Sequence, residues 1–337
     1  MTGTIIRGDY NKESIEESIQ KINIKEEVDA FIKMSSEEIK KELIKKGSKI
    51  VKEERLQDEA FMLRNIDKWK AAFDLYGIHL CICKDIGSDI NNEFRDEIVN
   101  SKDILLDLLV KFHAHACHIA TEILCLMENG YADAAHSRWR ALHETNVLAQ
   151  FIKKNGQECA ERYQAHQLVD LYNLMIMCKN HSGQINQSPP TQEQFDECKK
   201  NYDEAVSKYG KEFTKQYGWA SPYITTSGKI GFKTLVKNIG FEHWEFYYSK
   251  SSNAVHVTPY GMNNKLALSE NFQQVLVVGQ SNQGMIEPGH AASVSLTHIT
   301  ALLLQYRETL DHIIIMKIIS EIEHEIGDKF LAVHTQS

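Results

Sequence analysis

Hydrophobic residues recur every three or four positions along most of the chain, which is the spacing of one face of an α-helix. The pattern is strongly helical and apolar from Ser101 to Met127, and the helix-ending pair Asn129-Gly130 follows it. We therefore expect an all-α protein, a helical bundle in which short turns join antiparallel neighbours. Residues 265–278 fit a strand or a buried helix equally well. Further helices are predicted over 132–153, 158–178, 191–209, 232–239, 244–255 and, as the longest one, 290–326.

The beginning of the chain differs from the rest by its density of charge. Residues 1–60 contain 12 Lys and Arg and 14 Asp and Glu, with little aromatic content. Ser35 followed by Glu38 resembles a capping box and predicts that a helix starts there. We assign residues 1–100 to a charged helical N-terminal extension, 101–326 to the helical core domain, and 327–337 to a C-terminal tail.

Charge and cysteine content narrow the class of protein. The 38 Lys and Arg against 46 Asp and Glu give a formal charge of -8, so contact with nucleic acid requires a local basic site. The seven cysteines are scattered and include no C-x-x-C pair, which is typical of reduced thiols in a cytoplasmic protein. The N-terminus lacks an apolar signal segment, so we expect no contact with a membrane.

The most informative window for chemistry lies on the helix predicted over 132–153. His136, Arg140, His143 and Glu144 stand at i, i+4, i+7 and i+8, so all four lie on one helical face. Arg140 and Glu144 also have the spacing of an ordinary intrahelical ion pair. A functional cluster and a structural ion pair are both compatible with this pattern.

A second polar face lies on the predicted helix 244–255. Ser249, Ser252, Asn253 and His256 share it, and Lys250 is their neighbour. These residues do not favour a serine hydrolase. The sequence shows no third catalytic group beside Ser252 and His256, and no strand-turn-helix elbow surrounds Ser252. His256 is therefore either a general acid or base or a histidine satisfied within the core.

Metal and nucleotide motifs are weak. His115, His118 and Glu122 lie on one face, and Glu321 and His324 form one Glu-x-x-His pair, whereas a di-iron bundle needs two such pairs and further carboxylates. The glycine-containing loop 279–284 lacks the Lys-Ser/Thr of a phosphate loop. We predict no metal site and no cofactor; a metal-dependent helical oxidase would require the first three residues to share a cavity with more carboxylates.

Three motifs in order carry a family resemblance. They are Arg140-Ala-Leu-His-Glu144 preceded by Asp133, then Tyr217-Gly-Trp-Ala220, and then Ser252-Asn-Ala-Val-His256. With them, residues 104–261 resemble the bacterial family called domain of unknown function 5677. That family more distantly resembles the HEPN superfamily of all-helical domains that bind nucleotides or cleave RNA. The resemblance implies a HEPN-like bundle that acts as a homodimer in phage defence or toxin systems.

HEPN domains carry an Arg, four to six intervening residues and a His, and they cleave RNA without a metal. Arg138 to His143 fits this motif literally, whereas Lys250 to His256 fits its final-helix setting with Lys in place of Arg. We therefore expect an endoribonuclease site in one cleft, with His256 as acid or base. The expected catalytic residues are Arg140, His143, Glu144 and His256, and the expected substrate-binding residues are His136, Arg138, Lys250, Ser252 and Asn253.

An alternative from a different class remains open. The same polar face could belong to a non-catalytic helical module that binds a nucleotide-like ligand, with the N-terminal helices docking a partner protein. The acidic net charge favours this alternative, because an RNA-degrading enzyme gains from a basic surface.

Overall fold

The protein is built from helices. The computed structural model describes residues 24–184, 188–226, 228–256, 258–268 and 277–335, and within these ranges it contains ten α-helices and no β-strand. The prediction of an all-α protein is therefore confirmed. Most of the ambiguous segment 265–278 lies outside the described residues. The helices are α1 Ile24–Ser101, α2 Ile104–Glu128, α3 Ala132–Ala165, α4 Gln167–His181, α5 Gln192–Tyr209, α6 Phe232–Ile239, α7 Glu245–Val255, α8 Pro259–Asn263, α9 Ile286–Leu304 and α10 Leu310–Thr335.

The helix start predicted at Ser35 is wrong. Residues 24–46 contain neither Pro nor Gly, so no helix-breaking residue stands near Ser35, which lies inside α1. The neighbouring hydroxyl of Ser36 donates to the carbonyl of Lys33 at 2.8 Å, as serines inside helices do. The Ser-Ser-Glu-Glu motif therefore does not mark a helix start at this position.

Contacts divide the chain into two compact units, Met1–Ala60 and Phe61–Ser337. In the first unit, side chains between Glu26 and Ala60 are almost all exposed. In the second unit, the remaining part of α1 contributes to the hydrophobic core every three or four residues, with Trp69, Phe73 and Tyr76 fully or nearly buried. The charge-dense segment 1–60 therefore coincides with the first unit.

Helices α2, α3 and α9 form the centre of the second unit. A three-residue turn joins α2 to α3, with Gly130 at φ 81° and the N–H of Tyr131 donating to the carbonyl of Leu126 at 2.8 Å. Helix α9 packs on both of them and is buried on nearly all sides. Its Gly289 lies against Phe330 of α10, where a Cβ atom would come within 2.3 Å of the ring. This close approach keeps the side chain of Phe330 in the core.

Helix α3 does not end at Asn155-Gly156 as predicted. It continues to Ala165 across a kink at Gly156, whose φ of 79° and ψ of -164° are not helical. Cys159 and Ala160, which follow the kink, are buried. The part of α3 after Gly156 therefore packs on the core, as the part before it does. Glycine supplies the backbone freedom that the kink needs.

The single helix predicted over 290–326 is also wrong, because two helices occupy this range. Helix α9 ends at Leu304, and the 3-10 turn Gln305–Arg307 separates it from α10. The guanidinium of Arg307 pairs with Glu97, and the hydroxyl of Tyr306 bonds to Asp103. These contacts are distant in sequence, so the periodicity of 290–326 gave no sign of the break.

Two further features of the helices concern their hydrophobicity and their cysteines. No helix in the described part of the chain is long and apolar enough to cross a membrane. All seven cysteines are free thiols, and four of them are buried. Burial raises the pKa of Cys83 and of Cys117 to about 12, so these thiols remain protonated and unreactive.

Candidate functional site

The polar face predicted on α3 divides into a buried row and a surface row. His136 and His143 are each only 2% exposed, whereas the side chains of Arg140 and Glu144 are 25% and 37% exposed. On a helical wheel the two histidines lie about 20° apart, and Arg140 and Glu144 lie about 40° to 80° further round. This rotation takes the charged pair out of the core while both histidine rings stay inside.

The buried row is an aromatic stack. The indole of Trp139 lies between the rings of His136 and His143, with centroids 5.4 and 5.3 Å away. Its N–H donates to the hydroxyl of Ser295 on α9 at 3.0 Å. Burial lowers the pKa of each histidine to about 4, so both rings are neutral at pH 7. The structure places neither ring in hydrogen-bond contact with Arg140 or Glu144, and His143 packs against the ring of Tyr248 with centroids 5.8 Å apart.

The surface row is completed by two residues of the α7 segment. The Nε of Arg140 donates to Glu144 Oε1 at 2.9 Å and to the hydroxyl of Tyr248 at 3.1 Å. Its Nη1 lies 3.4 Å from the Nε2 of His256. We name Arg140, Glu144, Tyr248 and His256 the surface cluster. Three of these four residues were predicted from the sequence to lie together, and the structure brings them together.

Tyr248 is the residue of the surface cluster that the sequence analysis missed. Its hydroxyl donates to Glu144 Oε1 at 2.6 Å, and the guanidinium of Arg140 lies 4.9 Å from its ring centroid. Burial, followed by the bond to Glu144, raises the pKa of Tyr248, so the phenol stays a donor. Tyr248 lies on α7, eight residues before His256, and this i, i+8 spacing was the signal that could have identified it.

The end of α7 places His256 beside Arg140. The helix stops at Val255, and His256 takes an extended conformation while its N–H still donates to the carbonyl of Ser252 at 2.9 Å. The hydroxyl of Ser252 bonds back to Tyr248 O at 2.7 Å, and Asn253 Oδ1 accepts from Thr258 at 3.2 Å. Ser252 and Asn253 therefore hold the chain around the site in place, because their side chains form hydrogen bonds to neighbouring residues of the same segment.

A separate, partly buried network surrounds two of the other predicted binding residues, His136 and Lys250. Lys250 pairs with Glu287 of α9, and Glu287 Oε2 lies 3.7 Å from His136 Nδ1. The carboxylate of Asp133 accepts the N–H groups of Leu266 and Ala267 at 2.9 and 3.1 Å. These side chains fasten the segment after α8 to the start of α3. Lys250 is thus held within the fold and does not point at the guanidinium of Arg140.

The remaining predicted residues lie on the α2 side of α3. Arg138 pairs with Glu122, and Glu122 also lies 3.3 Å from His118 Nε2. No group of three or more His, Cys, Asp or Glu side chains in the described ranges is arranged to hold a metal ion. Two members of the facial set, His118 and Glu122, thus belong to an ion-pair network with Arg138.

The surface of the second unit has a small depression beside the surface cluster and a much larger groove elsewhere. The depression beside Tyr248 and His143 has a volume of only about 10 Å³. A groove of about 680 Å³ lies between α1 and α2, with Lys84, Arg95 and Lys111 among its lining residues. None of the described residues that line this groove is acidic. Volume alone favours the groove as a ligand site, whereas the juxtaposed acid-base and cationic groups favour the surface cluster.

The fold and site thus define an all-helical protein with an Arg-Glu-Tyr-His cluster at its surface. The model of a family of unknown function, DUF5677, matches residues 106–274, and the chain belongs to this family. All four residues of the surface cluster fall within the matched range. No curated protein and no solved structure matches the chain significantly.

Proposed function

We propose that this protein is a bacterial defence or toxin-type effector, cytoplasmic and homodimeric, that binds RNA and cleaves it without a metal ion at the surface cluster. The observation that carries the proposal is the contact between Arg140 Nη1 and His256 Nε2 at the protein surface. A guanidinium beside an imidazole nitrogen combines a phosphate-binding cation with a proton acceptor. The resemblance to HEPN domains supports RNA as the substrate and defence as the setting.

The contact with Arg140 orients the ring of His256. Arginine has only donors, so the Nε2 of His256 is the acceptor in this contact. A general base uses the same electron pair, so the 2′-hydroxyl of the RNA takes the place of Arg140 Nη1 at Nε2 when it binds. Arg140 in turn is held by Glu144 and Tyr248, which act as positioning residues.

The chemistry that this arrangement supports is transesterification of RNA. His256 Nε2 removes the proton of a ribose 2′-hydroxyl, and the 2′-oxygen attacks the adjacent phosphorus. Arg140 donates to the non-bridging oxygens, whose negative charge grows in the transition state. The 5′-oxygen leaves with the proton returned by His256, so the products are a 2′,3′-cyclic phosphate and a 5′-hydroxyl. Because the adjoining depression is small, the RNA strand lies across the surface.

Cleavage of total RNA and tRNA by the purified protein in EDTA tests this proposal. We expect Arg140→Ala and His256→Ala each to lower the rate by roughly 100-fold or more, since each removes a group acting in the transition state. The matched controls Arg64→Ala and His324→Ala remove the same side chains from exposed positions elsewhere and should cleave normally. Loss of activity in EDTA, or full activity in both cluster variants, would contradict the proposal.

A second candidate function is a non-catalytic module that binds a nucleotide-like ligand. The observation that favours it is the groove between α1 and α2, whose volume suits a small molecule. Gly87, Ala114 and Cys117 give part of the groove a small or apolar lining. Arg95 is fixed at one end by Asn91 and Asp107, with Nε 3.1 Å from Asn91 Oδ1.

Titration calorimetry with adenosine monophosphate separates the two candidates. If the groove is the site, Lys111→Glu should weaken binding by about tenfold or more, because it replaces a cation with an anion beside the phosphate. Arg140→Ala should then bind as the wild type does. Binding that depends on Arg140 and ignores Lys111 would instead assign the nucleotide to the surface cluster.

A further inference from the structure

The first unit of the chain exposes a stripe of large aliphatic side chains. Along residues 26–60 of α1 the spacing 4, 3, 4, 3, 4 runs through positions 32, 36, 39, 43, 46 and 50, which is the a/d pattern of a coiled coil. Four of these six positions carry Ile or Leu, and each of those side chains is 56–66% exposed. The next positions of the same series, 29 and 53, carry Asp and Glu, so the apolar run ends there. We name Ile32, Ile39, Leu43 and Ile50 the apolar stripe.

Charge along the same segment is arranged in blocks of opposite sign. Residues 26–38 contain five acidic side chains and one basic side chain, whereas residues 40–52 contain six basic side chains and one acidic side chain. Five of these thirteen charges, at positions 26, 33, 40, 42 and 49, stand at the e and g positions that flank the apolar stripe. A mixture of this kind offers neither a continuous basic surface for nucleic acid nor a continuous acidic one. It is complementary to the same segment read in the opposite direction.

We propose that the apolar stripe binds a second copy of this chain, as an antiparallel two-stranded coiled coil centred at position 41. In an antiparallel pair each a position faces a d position of the other helix. With this centre Ile32 faces Ile50 of the second copy, and Ile39 faces its Leu43. The acidic segment 26–38 then lies opposite residues 44–56, which contain five basic and two acidic side chains. This inference does not depend on the proposed RNA chemistry.

The parallel arrangement is disfavoured by the same residues. It would place Lys46 against its own copy inside the seam and the basic block 40–52 against itself. In the antiparallel arrangement Lys46 faces Ser36 of the second copy. The long side chain of Lys46 lets its ammonium group reach the solvent at the edge of the interface. The intrahelical ion pair of Lys46 with Glu42, at 3.6 Å, remains compatible with that position.

The oligomeric state of the full chain tests the interface. By light scattering after gel filtration at micromolar concentration, we expect the wild type to have twice the 38.6 kDa mass of one chain. Ile39→Glu with Leu43→Glu should elute as a monomer, with helix content checked by circular dichroism. The matched control Ile44→Glu with Val51→Glu changes equally exposed aliphatics on another side of the helix and should remain dimeric. A monomeric wild type, a dimeric stripe variant or a monomeric control would each overturn the proposal.

Cysteine cross-linking tests the direction of the two helices. In the antiparallel pair the two copies of position 36 are about 15 Å apart along the helix, too far for a disulfide. Ser36→Cys alone should therefore give no oxidised dimer beyond that of the wild type, whereas Ser36→Cys combined with Lys46→Cys should give one. A cross-link through Ser36→Cys alone would show a parallel pair and overturn the antiparallel assignment. A cross-link to a different protein in place of a second copy would overturn the choice of partner.

Discussion

At the scale of single residues, the surface cluster is organised around one guanidinium. Arg140 uses Nε for Glu144 and Tyr248 and directs Nη1 to His256, and the described residues provide no acceptor for Nη2. Glu144 Oε1 accepts from both Arg140 and Tyr248, so the three side chains fix one another. A guanidinium that is fixed before a ligand arrives binds an anion with a smaller loss of side-chain entropy. The arrangement therefore suits both an ion pair and an anion site, the two alternatives that the sequence left open.

Removing the hydroxyl of Tyr248 should loosen this arrangement. We expect Tyr248→Phe to lower the free energy of unfolding by about 1 kcal/mol, because a half-buried hydrogen bond to a carboxylate is lost while the ring remains. Urea unfolding followed by fluorescence measures the change. Tyr247→Phe removes the same group from the neighbouring exposed side chain and should change stability by less than about 0.5 kcal/mol. Equal effects of the two substitutions would show that the bond to Glu144 does not stabilise the fold.

At the scale of elements, periodicity identified the helices, and tertiary contacts decided where several of them end. The starts of α2, α5 and α6 lie within about three residues of the predicted positions, because capping side chains and glycines mark them locally. The end of α9 depends on Arg307 and Tyr306 meeting α1 and the turn before α2, which no local pattern encodes. Gly156 was a visible signal, but whether it ends or bends a helix depends on what the following turns pack against.

The kink in α3 should therefore depend on Gly156. Its φ and ψ lie in a region that side-chain-bearing residues avoid, so we expect Gly156→Ala to lower the free energy of unfolding by roughly 1 to 3 kcal/mol. Gly77→Ala is the matched control, because Gly77 lies within α1 and nothing approaches its Cβ position within 4 Å. That substitution should raise stability by about 0.5 to 1 kcal/mol. Thermal or urea unfolding checks both, and an unchanged stability in Gly156→Ala would contradict the role assigned to the kink.

At the scale of the whole molecule, the core of the second unit contains an unusual number of neutral histidines. Burial lowers the pKa of His79, His113, His136 and His143 to about 4 each. Two of them form hydrogen bonds to threonines of α9, His79 to Thr297 at 2.9 Å and His113 to Thr300 at 3.0 Å. Four rings that must stay uncharged make the packing of the bundle sensitive to acid.

Stability should therefore fall as the pH is lowered from about 6.5 to about 4. The folded rings have a lower pKa than the unfolded ones, so the unfolded chain binds protons first, and stability is complete above the unfolded pKa. Each ring contributes roughly 1 to 3 kcal/mol to this loss. Urea unfolding at a series of pH values measures it. His143→Phe, which places another ring among aromatic neighbours, should reduce the pH dependence, whereas His118→Phe at a 70% exposed position should not. The same dependence in both variants would contradict this account.

The sequence by itself determined the helical class, most helix positions and three members of the surface cluster. It did so because helical periodicity, caps and i, i+4 spacing are local properties of the chain. Tertiary structure decided which polar residues stay buried, since a rotation of about 60° on α3 separates His143 from Arg140. It also decided that Tyr248 and His256 reach Arg140, more than 100 positions away. Contacts between such distant residues depend on how α3 and α7 pack, and no local pattern carries that information.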